Sequence, residues 1–159
     1  MRAVRHHGQV MRKRHLLAFL LVGLLSCLSQ ARQLAIVAEK SNATTNLSSA
    51  DLVKIFLART HNWPDGKPVV LVMRDLSSAD MQLVVRKVLN MTPAEAHAFV
   101  EAHRGAIVVA ESDEAVIRFV SGTRGAIGVV DLFSLTKDVN VLKVDGKLPV
   151  EQGYLLKGD

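Results

Sequence analysis

Four apolar runs of strand length, at residues 34–38, 69–73, 106–110 and 126–130, alternate with segments whose apolar residues fall at helical spacing, and residues 139–144 read as a fifth strand. That alternation is the tightest constraint on the fold. A strand that is apolar without interruption expects burial on both faces, so helices have to cover the sheet. Strand, helix and strand in repeated order imply an α/β fold, a mostly parallel sheet with helices packed on it.

Local signals place the helices. Ser48 followed by Asp51 is a capping pair, and Leu52, Val53, Ile55 and Phe56 follow at helical spacing. Pro64-Asp65-Gly66 is a turn. Residues 78–89 form a helix with Met81, Val84, Val85 and Val88 on one face. Thr92-Pro93-Ala94-Glu95 is the clearest signal in the chain: threonine caps, proline opens the helix, and glutamate reaches back to the cap. That helix runs to about His103. Ser112 starts another through Val120, with Gly122 as its C-terminal stop.

The first thirty residues read as a leader. Arg2, Arg5, Arg12, Lys13 and Arg14 make a basic start with no acid, residues 16–28 are an apolar run, and Ser29-Gln30-Ala31 is a small-x-small cleavage pattern. The run is short of the roughly 20 residues a membrane span needs. Residues 1–31 are therefore expected to be a signal peptide and residues 32–159 one exported α/β domain. A lipoprotein signal ending at Cys27 is the alternative, which Leu25 fits poorly.

The whole chain carries a formal charge of +5, and its five leader cations account for all of it. A neutral domain with no basic cluster does not suit a nucleic-acid partner. Cys27, the single cysteine, lies in the leader, so no disulfide framework or thiol chemistry is expected.

The order of several motifs resembles the periplasmic phosphate-binding proteins of ABC transporters. They are LSSADLVKIFL at residues 47–57, WPDG at 63–66, Arg74-Asp75-Leu76-Ser77-Ser78 at a strand end, SDEAV at 112–116, GAIGVV at 125–130 and VLKVDG at 141–146. The resemblance implies one lobe of a type II periplasmic binding protein, without the opposing lobe that would close over a ligand. It also implies a strand end whose arginine and hydroxyl-rich loop open a helix onto bound phosphate. The family's Gly-Thr pair after the serine is Ser78-Ala79 here.

The residues themselves leave two readings of that junction. Arg74, Ser77 and Ser78 could hold an oxyanion at a helix start, where unpaired N–H groups and the helix dipole favour one. Alternatively Ser78 merely caps the helix while Asp75 pairs with Arg74. Asp75 could also accept the proton of a monoprotonated oxyanion. Ser41 and Asn42, with Thr44 and Thr45, could add a second polar wall near the ends of the early strands; an ordinary solvated loop is the competing reading.

No catalytic serine elbow is present, and His97 and His103 lie six apart, which does not place two imidazoles on one helical face. No catalytic residue, metal or cofactor is expected. The expected function is periplasmic, non-covalent binding of phosphate or a related oxyanion, with a membrane transporter or envelope protein as partner. The alternative is a degenerate lobe acting as an interaction module in the cell envelope. A partner or a homodimer is further expected to cover the sheet face that a lone lobe would leave without an opposing wall.

Overall fold

The computed structural model describes residues 31–158. The expected leader therefore lies outside the described residues, apart from Ala31. In chain order the elements are β1 (Leu34–Ala38), β2 (Asn46–Leu47), α1 (Ser49–Phe56), β3 (Val70–Arg74), α2 (Ala79–Val84), α3 (Pro93–Ala102), β4 (Ile107–Ala110), α4 (Asp113–Gly122), β5 (Ala126–Asp131) and β6 (Asn140–Val144). A π-helical turn, Val85–Leu89, extends α2, and a 3-10 turn, Leu132–Ser134, follows β5. All five expected strands form. The short β2 and the two irregular turns were not expected from sequence.

The six strands lie in the order β2-β6-β1-β5-β3-β4. The pairs β2–β6, β3–β5 and β3–β4 are parallel, while β1 runs antiparallel to both β5 and β6. Helical crossovers between β3, β4 and β5 return the chain to the same end of the sheet each time, which makes those strands parallel. β1 enters before any crossover and takes the opposite sense. The sheet is mostly parallel, as expected, with one strand reversed near its centre.

Alternate residues of β1 go to opposite faces. Leu34, Ile36 and Ala38 join a core with α1, α2 and α3, and Ala35 and Val37 join a second core with α4. Fully burying one such aliphatic side chain stabilises by about 1.5–3 kcal/mol, so a strand buried along its whole length ties both layers to the sheet. On the α4 side Gly128 lets the helix lie close. A Cβ there would stand 2.6 Å from Val116 Cγ1 and 3.1 Å from Val120 Cγ2. The expectation of an uncovered sheet face is therefore not met: helices cover both faces.

The helix ends follow their sequence signals. Thr92 and Glu95 form the reciprocal box, with the Thr92 N–H donating to Glu95 Oε2 at 2.8 Å and the Glu95 N–H to Thr92 Oγ1 at 3.3 Å. Ser78 caps α2 and Ser112 caps α4. One helix end differs. Gly122 is the last residue of α4 and not a stop beyond it, and the left-handed glycine is Gly125, at φ +78°. There a Cβ would fall 2.1 Å from the Pro68 carbonyl oxygen. The strand β5 can begin beside Pro68 only because residue 125 has no side chain.

Candidate functional site

Arg74 is the last residue of β3, and β4 runs parallel beside it with Ala110 opposite Arg74. The two helices that follow these strands, α2 and α4, therefore start at the same end of the sheet, with Arg74 between them. Its Nη1 donates to Asp80 Oδ2 and to Asp113 Oδ1, both at 3.0 Å. Asp80 is in the first turn of α2, and Asp113 is the first residue of α4. Carboxylates in the first turn suit the positive end of a helix, so each is favoured twice, by the dipole and by the guanidinium.

The network extends beyond Arg74. Asp80 Oδ1 pairs with Arg32 Nε at 3.0 Å. Asp113 is buried, at 7% exposed, and its Oδ2 accepts from the Asp131 N–H at 3.1 Å and the Ser134 hydroxyl at 2.7 Å. That carboxylate thus ties α4 to the turn after β5 as well as to Arg74. Two cations and two carboxylates cancel. The carboxyl of nearby Glu114 is held below its ordinary value, first by its own backbone N–H, then by the Ser112 hydroxyl, and to a lesser degree by the charges of Arg74 and Arg118. Only Nη1 of Arg74 is used in these contacts, and its Nε is buried with no hydrogen-bond partner among the described residues.

The pairing of Asp75 with Arg74, which belonged to the capping alternative, does not occur. Asp75 Oδ1 accepts from the Ser77 N–H at 2.7 Å and from the Ser77 hydroxyl. Those contacts hold the exposed Asp75 carboxyl below the ordinary value, the hydroxyl contributing most. Ser78 Oγ accepts from the Met81 N–H at 3.3 Å. So Ser77 folds a turn and Ser78 caps a helix. Arg74, Asp75, Ser77 and Ser78 remain neighbours at one strand end.

Ser41 and Asn42 do not join them. Ala38 of β1 lies opposite Ile127, which lies opposite Leu71, the second residue of β3. Because β1 is reversed, the loop after it emerges at the start of β3, and Arg74 is at the far end. The two polar groups stand at opposite ends of the sheet and form no common wall. Ser41 is bound to Glu39, with its N–H and hydroxyl on the two carboxylate oxygens at 2.9 and 2.8 Å. Asn42 is buried, its Oδ1 accepting from the Thr44 N–H at 2.9 Å. Two shallow grooves of about 370 and 600 Å3 adjoin this loop, sharing Thr44, Trp63 and Pro64. Trp63 is fixed there by its indole N–H, which donates to the Gly125 carbonyl at 2.8 Å.

Asp80, Asp113, Arg32 and Ser134 are the participants that sequence reasoning missed. A usable signal existed for the two aspartates. Each lies within the first turn of a helix that opens on a capping serine just after a strand, Ser78 for Asp80 and Ser112 for Asp113. Among the described residues no three His, Cys, Asp or Glu side chains are grouped to hold a metal ion.

No family model and no curated protein sequence matches the chain. Solved structures do share its fold. An ABC-type phosphate transport receptor from Vibrio cholerae superposes with a TM-score of 0.69 at 20% identity, over 80% of this chain and 54% of that one. PstS from Borrelia burgdorferi gives 0.69 at 24% identity, over 81% and 55%. A putative phosphate ABC transporter substrate-binding protein from Clostridium perfringens, solved with bound phosphate, gives 0.64 at 20% identity, over 75% and 47%. The chain has the fold of these substrate-binding proteins and spans about half their length.

Proposed function

We propose that this chain is an exported, non-catalytic binding lobe that takes phosphate or a similar tetrahedral oxyanion at the Arg74 end of its sheet, in the periplasm. The observation that carries the reading is the position of Arg74: a guanidinium between two helix starts at the ends of two parallel strands, with Nε unpartnered among the described residues. Open α/β sheets bind ligands at such strand ends, and a guanidinium there grips two oxygens at once. The shared fold with phosphate-binding structures supports the same choice. Delivery to a membrane transporter is the role this reading gives the lobe.

Asp80 and Asp113 set the affinity. An anion brought to about 4 Å from a carboxylate is repelled by about 4 kcal/mol per charge pair near a protein surface, which offsets what one guanidinium contact returns. Binding therefore requires Asp80 to turn away or the anion to arrive protonated, and a dissociation constant on the order of micromolar to millimolar follows. Titration calorimetry with phosphate tests this on three proteins. The wild type should bind weakly, Arg74→Ala should bind about tenfold less or worse, and Asp80→Asn should bind more tightly. Silence from both the wild type and Asp80→Asn at millimolar phosphate would overturn the reading. The ion pairs that already occupy Arg74 favour a second reading in that event: a degenerate lobe retained as an interaction module of the cell envelope.

A further inference from the structure

At one edge of the sheet β2 has only two residues, too short to template another strand. At the other edge β4 carries Ile107, Val108, Val109 and Ala110, with no charge and no proline within it. Among the described residues its outer side has no strand beside it. The Leu71 N–H donates to the Ala106 carbonyl at 3.2 Å, so residues 106, 108 and 110 turn their backbone groups to β3 and residues 107 and 109 turn theirs outward. The Ile107 N–H is taken by the His103 carbonyl at 3.0 Å. That leaves the Ile107 carbonyl and both backbone groups of Val109 facing away from the sheet, and the Val109 side chain is half exposed, at 51%.

The charges beside this strand are polarised. His103 and Arg104 precede it; Glu111 and Glu114 follow it, and Arg104, Glu111 and Glu114 are all exposed. A parallel neighbour would set like charges side by side. An antiparallel neighbour with the same sequence sets each basic end against an acidic one. We propose that β4 is the interface through which two copies of this chain pair, antiparallel about a two-fold axis, joining their sheets edge to edge. In the register that places Val109 opposite Val109 of the second copy, each Val109 N–H meets the other's carbonyl. Each Ile107 carbonyl then faces the Glu111 N–H of the second copy, and the turn at Arg104, whose guanidinium also reaches Glu101 of its own chain at 2.6 Å, lies toward the second copy's first α4 turn at Glu114. The contact is isologous and closes on itself, so it yields dimers and not fibres. A β-branched pair at its centre adds side-chain contact.

Sedimentation velocity of the full chain over a concentration series tests the pairing. The wild type should form a dimer with a dissociation constant on the order of 10–100 μM, as suits a small interface. Val109→Lys should be monomeric with a nearly unaltered melting midpoint, since its side chain is half exposed and its N–H makes no bond within the sheet. Arg104→Glu should weaken the dimer, and adding Glu114→Arg to it should restore the dimer. That rescue distinguishes a lost contact from a damaged fold if Val109→Lys proves unstable. A wild type that stays monomeric up to about 1 mM, a dimer indifferent to Val109→Lys, or an Arg104→Glu defect that Glu114→Arg leaves in place would each overturn the proposal.

Discussion

At the Arg74 end of the sheet full charges face full charges, Arg32 on Asp80 and Arg74 on Asp80 and Asp113. At the Asn42 end Asn42, Ser41 and the Glu39 carboxylate bond mainly to nearby backbone and to each other, beside two open grooves. The charged end has the chemistry to hold an anion but has filled it from within. The grooved end has space, but no Lys, Arg or His lines either groove, and Lys67 nearby already pairs with Asp65. Opportunity for binding and room for it have been separated along the same strands. The charged end should therefore respond most to deletion of a partner, and the other end to backbone geometry.

Removing Asp113 is the strongest test of that contrast. Asp113→Ala would leave Arg74 short of one partner and would strand the Asp131 N–H and the Ser134 hydroxyl together. Breaking a buried pair from one side costs about 3–5 kcal/mol. Chemical denaturation should show a loss of that size. A loss under about 1 kcal/mol would mean that the network behaves as a surface ion pair and does not hold α4 to the sheet.

At the grooved end the comparable weak point carries no charge. Gly125→Ala puts a Cβ on a residue at φ +78° and drives it onto the Pro68 carbonyl. A strained left-handed conformation together with that clash should cost about 2–3 kcal/mol. The two losses should also differ in kind. The Gly125→Ala deficit should not change with ionic strength, because no ion pair is touched. A deficit that salt alters would show that the two ends are coupled electrically, against the contrast drawn here.

Much of the fold was legible because its signals are local. The box at Thr92 and Glu95 needs only four consecutive residues, and the uninterrupted run at Leu34–Ala38 announces burial on both faces. Strand direction is not local. An apolar run says nothing about which way it points, so the reversal of β1 was invisible, and with it the placing of Ser41 and Asn42 far from Arg74. The site was half legible for the same reason. The cap at Ser78 lies within its own turn, whereas the contact of Arg74 with Asp113 spans 39 residues and exists only because β4 lies beside β3. Had the adjacency of these two strands been known, two capped helices starting beside one arginine would have suggested the carboxylates.

A smaller effect is expected from the cap. Ser78→Ala removes the hydroxyl that accepts from the Met81 N–H and should cost about 1 kcal/mol. It tests whether the start of α2 at the charged end depends on its own cap or is held instead by Asp80 through Arg74 and Arg32. A loss near zero, with Asp80→Ala then costing more in the Ser78→Ala background than alone, would favour the ion pairs as the anchor.

The smallest effect separates the two ends by pH. Glu39, at the grooved end, has its carboxyl held below 4.5, chiefly by the Ser41 hydroxyl, with burial opposing and the Ser41 N–H and the charge of Lys67 assisting. A folded carboxyl that ionises more readily than the unfolded one contributes stability above the unfolded value and loses it as pH falls through the folded value. Ser41→Ala removes the largest cause and brings the folded carboxyl back toward 4.5. The variant should therefore be slightly less stable than the wild type near neutrality, and the gap should close as acid protonates Glu39 in both. Ser78→Ala offers the control, because a hydroxyl that accepts from a backbone N–H involves no titrating group, and its gap should stay level over the same range. Urea denaturation of the three proteins at neutral pH and at about pH 3.5 reads both gaps directly. A Ser41→Ala gap that is level with pH, or that widens in acid, would show that Glu39 contributes no ionisation-dependent stability to the loop, and that the grooved end, like the backbone at Gly125, is held by geometry alone.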